Sequence, residues 1–141
     1  MTIYTDGAAR GNPGPAGIGA VVIGAEGHTL AEVSEGIGIA TNNVAEYLAA
    51  IEGLRSARNL GAQDVLLRSD SRLLVEQLAG RFKVKHPRLK ELHAQARGLA
   101  ATFRSIRYEH VPRERNREAD RLANAGVDAW LASQTASGPR P

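Results

Sequence analysis

The 141-residue sequence contains no cysteine, which excludes disulfide bonds and thiolate metal sites. Aromatic residues make up only 4% of the chain, so a core must be built from leucine, isoleucine, valine and alanine. The sequence shows no apolar run of membrane-spanning length and no signal-peptide pattern. We therefore expect a cytoplasmic protein that has no membrane partner and is a monomer.

The chain does contain enough apolar sequence for one packed domain, since 43% of its residues are hydrophobic. Its formal net charge is +3 and its pI is about 9.7. This modest basic excess is compatible with a polyanionic partner, although many basic proteins bind none. The last residues, "SQTASGPRP", are polar and contain glycine and proline. We predict one domain over residues 1–132 and a flexible tail over residues 133–141.

The apolar pattern predicts strands followed by alternating helices and strands. Short apolar runs predict five strands, over residues 2–6, 17–24, 28–38, 64–70 and 104–111. Helical spacing predicts four helices, over residues 43–59, 71–79, 87–102 and 116–132, with Asn116 as the N-cap of the last. Glycine-containing links suggest antiparallel hairpins among the first three strands. The fold class is therefore α/β, a mixed sheet with helices packed on it.

Two aspartates stand at the predicted ends of strands. Asp6 ends the first strand and Asp70 ends the fourth. If these strands are parallel neighbours, both carboxylates lie at the same sheet edge, where α/β proteins place their sites. Each also has a purely structural interpretation, because Asp before Gly often makes a turn and Asp before a helix often caps it.

Two further carboxylates lie near the starts of predicted helices. Glu46 lies in "TNNVAEYLAA", where residues at helical spacing are small or polar, so this side of the helix can approach another backbone closely. Asp120 lies in "NREADRLANAG", at the boundary of the predicted buried stripe of the last helix. For both residues the structural alternative is a favourable charge near a helix N-terminus.

Five motifs together resemble the type 1 ribonuclease H family. They are "TDGAARGNPGPAG", "TNNVAEYLAAIEGL", "LLRSDSRLLVEQL", "GRFKVKHPRLKEL" and "VPRERNREADRLAN", in the family's order and spread over residues 1–132. The resemblance implies a ribonuclease H-like fold, with a five-stranded sheet of three antiparallel strands and then parallel strands. It also implies an enzyme, an endonuclease that hydrolyses the RNA strand of an RNA–DNA hybrid and leaves 5′-phosphate and 3′-hydroxyl ends. The family's catalytic, metal-binding carboxylates match Asp6, Glu46, Asp70 and Asp120.

The chemistry of phosphodiester hydrolysis explains these residue types. Two cations about 4 Å apart can activate the attacking water and stabilise the leaving oxygen. Magnesium takes oxygen ligands, so carboxylates serve where His or Cys would suit softer metals. Without a cation, four converging carboxylates repel one another and some take up protons. The expected cofactor is Mg²⁺, as two ions with the substrate, and Mn²⁺ is an alternative.

The resemblance also assigns residues that contact the hybrid. Asn12 and Asn42 match positions that reach the minor groove, where 2′-hydroxyls distinguish RNA from DNA. Thr41 matches part of a pocket for a DNA-strand phosphate. Further expected substrate contacts are Asn43, Ser71 and Arg72. The structural alternatives are that Asn12 forms a turn and that one of residues 41–43 caps the helix.

A basic stretch, "GRFKVKHPRLK", carries five cations and no acidic residue. Its expected contacts with the DNA-strand backbone are Lys83, Lys85 and Arg88. The alternative is a solvated charged face that binds nothing.

Many family members place a histidine in the loop between the last strand and the last helix. In "HVPRERNREAD" the only histidine is His110, which ends the predicted strand before the loop. The arginines of this loop can hold the leaving phosphate by charge-assisted hydrogen bonds, and we expect Arg115 to do so, with Arg113 as the alternative. His110 ends the predicted fifth strand, on the side of Ile106 and Tyr108, so we expect it to pack there rather than to reach the metals.

Two other functions are compatible with the same fold. A non-catalytic module that binds hybrid or double-stranded RNA would not be helped by four clustered negative charges. An integrase-like or exonuclease-like enzyme is not excluded by fold alone, but the combined motifs disfavour it.

Overall fold

The computed structural model describes residues 1–136, in which five strands and four helices form one layered domain. The strands are β1 (Thr2–Ala9), β2 (Gly14–Ile23), β3 (Thr29–Ala40), β4 (Asp64–Ser69) and β5 (Ser105–His110). The helices are α1 (Asn42–Asn59), α2 (Arg72–Leu78), α3 (Pro87–Ala100) and α4 (Arg117–Ala136), and a short 3₁₀ turn covers Arg113–Arg115.

The strands form a single mixed sheet in the order β3-β2-β1-β4-β5. β1 is antiparallel to β2, and β2 is antiparallel to β3. β1 is parallel to β4, and β4 is parallel to β5. The predicted mixed five-stranded sheet is therefore confirmed, and its antiparallel and parallel halves meet at β1.

Helices cover both faces of the sheet. On one face, α1 packs on β1 and β2, and α3 packs on α1; Ile3, Ile51, Leu54 and Leu92 lie at the centre of this core. On the other face, α4 lies across β1, β2 and β3. Part of that contact is backbone on backbone, since a Cβ at Gly19 would lie 2.2 Å from the carbonyl oxygen of Ala119.

The first hairpin is longer than its sequence predicts. We expect β1 to end at residue 6 and β2 to begin at residue 17, but residues 7–9 pair with residues 16–18. The glycine and alanine content of this stretch resembles a loop. In the structure small residues are needed there because α1 and α4 approach the strands closely.

The last helix is also longer than predicted, because α4 continues to Ala136 rather than ending near residue 132. Residues 133–136 of the predicted tail are thus its final turn, and residues 137–141 lie outside the described residues. The domain boundary at residue 132 stays a prediction. Within residues 1–136, no helix has both the length and the apolar character required to cross a membrane.

Candidate active site

The parallel pairing of β1 and β4 brings two carboxylates to one edge of the sheet. Thr5 pairs with Ser69, and the next residue on each chain segment is Asp6 or Asp70. The expectation that these strands are parallel neighbours is confirmed. Asp6 lies inside β1 rather than at its end, and it is only 5% exposed.

A serine, not an aspartate, caps the helix that follows β4. The Ser71 hydroxyl accepts a hydrogen bond of 3.3 Å from the backbone N–H of Leu74. The Ser71 N–H in turn donates to Ser69 Oγ at 3.0 Å. Because Ser71 is the N-cap of α2, the carboxylate of Asp70 is not used for capping. The structural alternative for Asp70 is therefore wrong.

Glu46 reaches the same edge because one glycine lets a strand and a helix touch. A Cβ at Gly7 would lie 2.4 Å from the carbonyl carbon of Ala45 and 2.5 Å from the nitrogen of Glu46. Only glycine permits this approach. The Gly7 N–H hydrogen-bonds to the Glu46 carboxylate, which it helps to hold in place. The small-residue side of α1 has the close backbone contact that its sequence predicts.

Three of the four predicted carboxylates converge. One oxygen from each of Asp6, Glu46 and Asp70 lies within 4.8 Å of the others; we call these residues the acidic cluster. Burial, and then the charge of Glu46, raises the pKa of Asp6 to about 9. Burial, and then the charge of Asp70, raises the pKa of Glu46 to about 8. The cluster therefore favours either bound protons or a bound cation.

The acidic cluster passes a structural test for a divalent cation. Oε2 of Glu46 is buried and has no hydrogen-bond partner among the described residues. A buried carboxylate oxygen without a donor is costly, and a cation that lies between several such oxygens removes that cost. Oxygen donors of this kind suit Mg²⁺ and Mn²⁺. Asp6, Glu46 and Asp70 could therefore hold such an ion.

Asp120 lies beside the acidic cluster rather than within its three-residue group. It is half-buried, as its position at the edge of the helix stripe predicts, and it contributes, after burial and the charge of Glu46, to the raised pKa of Asp6. Its Oδ1 also accepts a hydrogen bond of 3.3 Å from Asn124. A metal-binding role for Asp120 stays a prediction.

Asn116 stands at the predicted N-cap position, since α4 begins at the next residue and the Asn116 carbonyl accepts a hydrogen bond of 3.1 Å from Asp120 N, but its side chain does not cap the helix. Its Nδ2 donates 2.9 Å to the carbonyl of Thr5, and its Oδ1 has no partner among the described residues. The side chain therefore links the start of α4, which carries Asp120, to the strand that carries Asp6. The sequence signal for this role of Asn116 is its position one helical turn before Asp120.

The loops on either side of the site meet through two asparagines. The Asn42 N–H donates 3.1 Å to Oδ1 of Asn12, and both residues are exposed, as is Asn43. Thr41 is the N-cap of α1, because its hydroxyl accepts 3.2 Å from Val44 N. The prediction that one of residues 41–43 is a cap is confirmed, and the exposed amides next to it remain available to a ligand.

The basic stretch, residues 81–90, is called the basic segment below. Arg81 forms two hydrogen bonds with Glu76, and Arg88 pairs with Glu91 at 3.2 Å. Lys83 and Lys85 form no ion pair within residues 1–136. The exposed Arg72 is the first residue of α2. The lysines are therefore the unneutralised charges of the segment.

The two candidate arginines of the last loop lie in different places. The charge of Arg113 lowers the pKa of Glu46, which burial raises overall, so Arg113 lies near the acidic cluster. Arg115 instead lines a cavity with Tyr4, Val21 and Asn116. Of the two arginines, Arg113 is thus the one whose charge acts on the acidic cluster.

His110 does not pack as we expect. It is exposed, and its Nε2 lies 3.2 Å from the backbone carbonyl oxygen of Asp70. His110 is the last residue of the edge strand β5, where its backbone pairs with Ser69 of β4, but its side chain is left exposed. The ring contacts the backbone of the acidic cluster and not its carboxylates.

The sheet order, the helices on both faces and the acidic cluster together define a ribonuclease H-like domain. A protein-family model described as reverse transcriptase-like matches residues 4–126. The ribonuclease H of Chromohalobacter salexigens is 38% identical over 150 residues, covering 95% of this chain and 88% of that protein. The chain belongs to the type 1 ribonuclease H family.

Other relatives extend this similarity. The bifunctional protein Rv2228c of Mycobacterium tuberculosis is 56% identical over 137 residues, which cover 96% of this chain. The chain spans 38% of the length of that relative. The solved structure of LC11-RNase H1 in complex with an RNA/DNA hybrid matches with a TM-score of 0.87 and 45% identity, covering 92% of this chain and 98% of that one.

Proposed function

We propose that the chain is a metal-dependent endonuclease that hydrolyses the RNA strand of RNA–DNA hybrids by two-metal-ion cleavage, leaving 5′-phosphate and 3′-hydroxyl ends. The observation that carries this proposal is the convergence of three carboxylates around a buried, unpartnered Glu46 oxygen. Relatives named ribonuclease H and the hybrid complex of LC11-RNase H1 support the substrate class.

The acidic cluster would hold the cation, and Asp120 would complete the ligand set beside Asp6. When bound, Mg²⁺ would supply activation of the attacking water and stabilisation of the leaving oxygen. The protein's own contribution is orientation. The Gly7 N–H fixes the Glu46 carboxylate, and the paired β1 and β4 hold Asp6 and Asp70 on a rigid edge.

Hydroxyl and amide groups beside the cluster would bind the hybrid. Thr41 and Ser71 each use an acceptor lone pair for helix capping, which leaves each hydroxyl hydrogen free to bond a phosphate oxygen. The joined Asn12 and Asn42 present exposed side chains that can bond 2′-hydroxyls in a minor groove. Asn43 lies next to them at the start of α1.

Cationic side chains would complete the substrate site. Lys83 and Lys85, without ion-pair partners in the described chain, would lie along a phosphate backbone. The exposed Arg72 and Arg88 would contribute more weakly, since Arg88 already pairs with Glu91. Arg113 would stabilise the departing phosphate, because it stays charged near neutral pH and lies close to Glu46. Arg115 would add to the general positive charge of this loop.

The test is a cleavage assay on end-labelled RNA–DNA hybrid, double-stranded RNA and double-stranded DNA, each with Mg²⁺, with Mn²⁺ and with EDTA. We expect cleavage within the RNA strand of the hybrid, dependent on metal, and products that accept a 5′ label only after phosphatase treatment. Binding of hybrid without cleavage in either metal would identify a non-catalytic module. Cleavage of double-stranded DNA would identify a different nuclease. Sedimentation would test the expected monomer; the cytoplasmic location stays a prediction.

A further inference from the structure

The middle of the basic segment is held by few contacts. Lys83, Val84 and Lys85 lie outside helices and strands, and none forms a backbone–backbone hydrogen bond in the part of the chain that the structure describes. Val84 packs against the edge of the core. The only hydrogen bond to these three residues within residues 1–136 is donated by Gln77 Nε2 to the carbonyl of Lys83, at 3.1 Å.

Gln77 is a buried polar residue on α2, and both the oxygen and the nitrogen of its side-chain amide form hydrogen bonds. It is 5% exposed, and it lies between the buried Leu74 and Leu78 on the core-facing side of the helix. Its Oε1 accepts a hydrogen bond of 2.6 Å from the hydroxyl of Tyr47. Since the Lys83 carbonyl can only accept, the amide nitrogen must point at Lys83 and the oxygen at Tyr47.

Tyr47 fixes this orientation from α1. Its side chain is 2% exposed, and burial raises the pKa of its hydroxyl to about 12. The hydroxyl therefore stays protonated and donates. The ring also makes an edge-on contact with His93 of α3, at 6.4 Å between centroids, and His93 Nε2 lies 3.0 Å from the Gln77 carbonyl oxygen. Tyr47 of α1 thus holds the side-chain amide of Gln77, and His93 of α3 lies against the Gln77 backbone.

The chain of contacts connects the acidic cluster to the basic segment. Tyr47 directly follows Glu46 on α1, so the path runs from Glu46 through Tyr47 and Gln77 to the Lys83 backbone. We propose that Gln77, oriented by Tyr47, is the positioning residue that sets Lys83 and Lys85 at a fixed place relative to the acidic cluster for binding of the hybrid. This inference rests on the proposed function.

Positioning by Gln77 predicts an effect on substrate binding and not on chemistry. The Lys83 carbonyl belongs to an exposed residue and can turn to water when Gln77 Nε2 is lost. The lysines would then sample more positions, and ordering them on the substrate would weaken binding. Within residues 1–136 no hydrogen bond joins Gln77 to Asp6, Glu46 or Asp70, so the rate at saturating hybrid would stay the same.

The first experiment compares Gln77→Leu, Tyr47→Phe and wild type in steady-state cleavage of one hybrid with Mg²⁺. Loss of one or two hydrogen bonds should raise KM about three- to tenfold for Gln77→Leu, and less for Tyr47→Phe, with kcat unchanged. Gln63→Leu is the matched control, since Gln63 is an exposed glutamine before β4 at the opposite end of the sheet. Tyr47→Phe keeps the packing and serves if Gln77→Leu does not fold.

The second experiment asks whether Gln77 acts through the lysines. In a Lys83→Ala, Lys85→Ala background, Gln77→Leu or Tyr47→Phe should change KM no further, because the groups they position are absent. An equal rise in KM in that background would overturn the inference, and so would an unchanged KM in the single variants. If the wild type neither binds nor cleaves hybrid, the proposed function itself fails. These outcomes are therefore distinguishable.

Discussion

The acidic cluster and the basic segment differ in how the fold determines their positions. Each cluster carboxylate belongs to, or directly follows, a paired strand or a capped helix, and a close contact at Gly7 leaves no room for movement. The basic segment has no regular structure in its middle, and within residues 1–136 one side-chain hydrogen bond holds residues 83–85. Reacting groups need geometry that is fixed by several contacts, whereas cations that bind phosphates need only a defined position, which the single contact from Gln77 would give. The two regions therefore differ in rigidity as cleavage and phosphate binding require.

The largest expected effect comes from removing a charge from the acidic cluster without changing its shape. Asp70→Asn keeps the size of the side chain and removes a charge that would hold a cation, so we expect loss of cleavage with hybrid binding retained. The measurements are single-turnover cleavage and hybrid affinity.

Asp64→Asn is the matched control for Asp70→Asn, at the other end of the same strand. Asp64 is exposed and pairs with Arg104 and Ser105, away from the cluster. It should cleave at the wild-type rate. Wild-type cleavage by folded Asp70→Asn would contradict the site assignment.

Removing the unpaired cations tests the other half of the comparison. Lys83→Ala and Lys85→Ala should each lower the slope of log affinity against log salt by roughly 1, about tenfold in affinity near 0.1 M salt. Arg88→Ala should have a smaller effect because Glu91 already neutralises it. The rate at saturating hybrid should stay unchanged. If the salt slope stays at the wild-type value in all three variants, the segment is a solvated charged face that does not bind the hybrid.

Two glycine substitutions should have opposite effects on stability. Gly7→Ala forces a Cβ into the backbone of α1, so we expect a loss of about 1–3 kcal/mol in the free energy of unfolding, together with lower activity. Gly98→Ala on α3 meets nothing within 4 Å and should add about 0.5–1 kcal/mol. Urea unfolding of both variants checks the signs. Equal effects would show that the close contact at Gly7 is not tight in solution.

The metal-free protein should lose stability as pH rises. Asp6 and Glu46 have pKa values raised to about 9 and about 8, so the folded protein binds more protons than the unfolded chain between about pH 4 and pH 9. The extra stability is complete below the ordinary carboxyl pKa and is lost as pH passes the raised values.

We expect the melting temperature in EDTA to fall by at least about 4 °C between pH 5 and pH 9. If Mg²⁺ is the bound ion, it would bind the deprotonated carboxylates and should stabilise the protein more at pH 9 than at pH 5. Asp6→Asn should flatten the EDTA profile. A wild-type profile that is already flat would contradict the raised pKa values.

The smallest effects concern the last loop. Arg113→Ala should slow turnover about three- to tenfold through loss of a charge-assisted contact to phosphate, while Arg115→Ala stays within about twofold. Steady-state and single-turnover rates on one hybrid separate product release from cleavage. The reverse order of effects would restore Arg115, our expectation from sequence, as the residue that binds phosphate.

The sequence predicts the fold and the cluster where local pattern and tertiary packing agree. The apolar run before Asp70 predicts a strand, and the family resemblance implies that this strand is parallel. The small residues around Glu46 predict a helix that touches backbone. These expectations are confirmed. Together with Asp6 they predict the position of the acidic cluster from the sequence.

The errors arise where a residue's partner lies far away in sequence. Asn116 has the local pattern of a cap, but its partner is Thr5, 111 residues away. His110 follows the alternation of a strand, yet its side chain is exposed and its Nε2 lies 3.2 Å from the backbone oxygen of Asp70, 40 residues away. The sequence around Gln77 predicts only a buried helix position. It does not predict the hydrogen bonds that Gln77 forms with Tyr47 of α1 and with the Lys83 backbone.

The glycines beneath α4 have a consequence for reading substitution data on this chain. At Gly17 and Gly19 any side chain would collide with main-chain atoms of the helix, so both sites should reject every replacement in a saturation scan scored by growth or activity. Such a scan would rank them with Asp6 and Glu46, and a reader would take them for functional positions. A parallel scan scored by abundance would separate the two groups, because carboxylate replacements should still accumulate folded protein and glycine replacements should not.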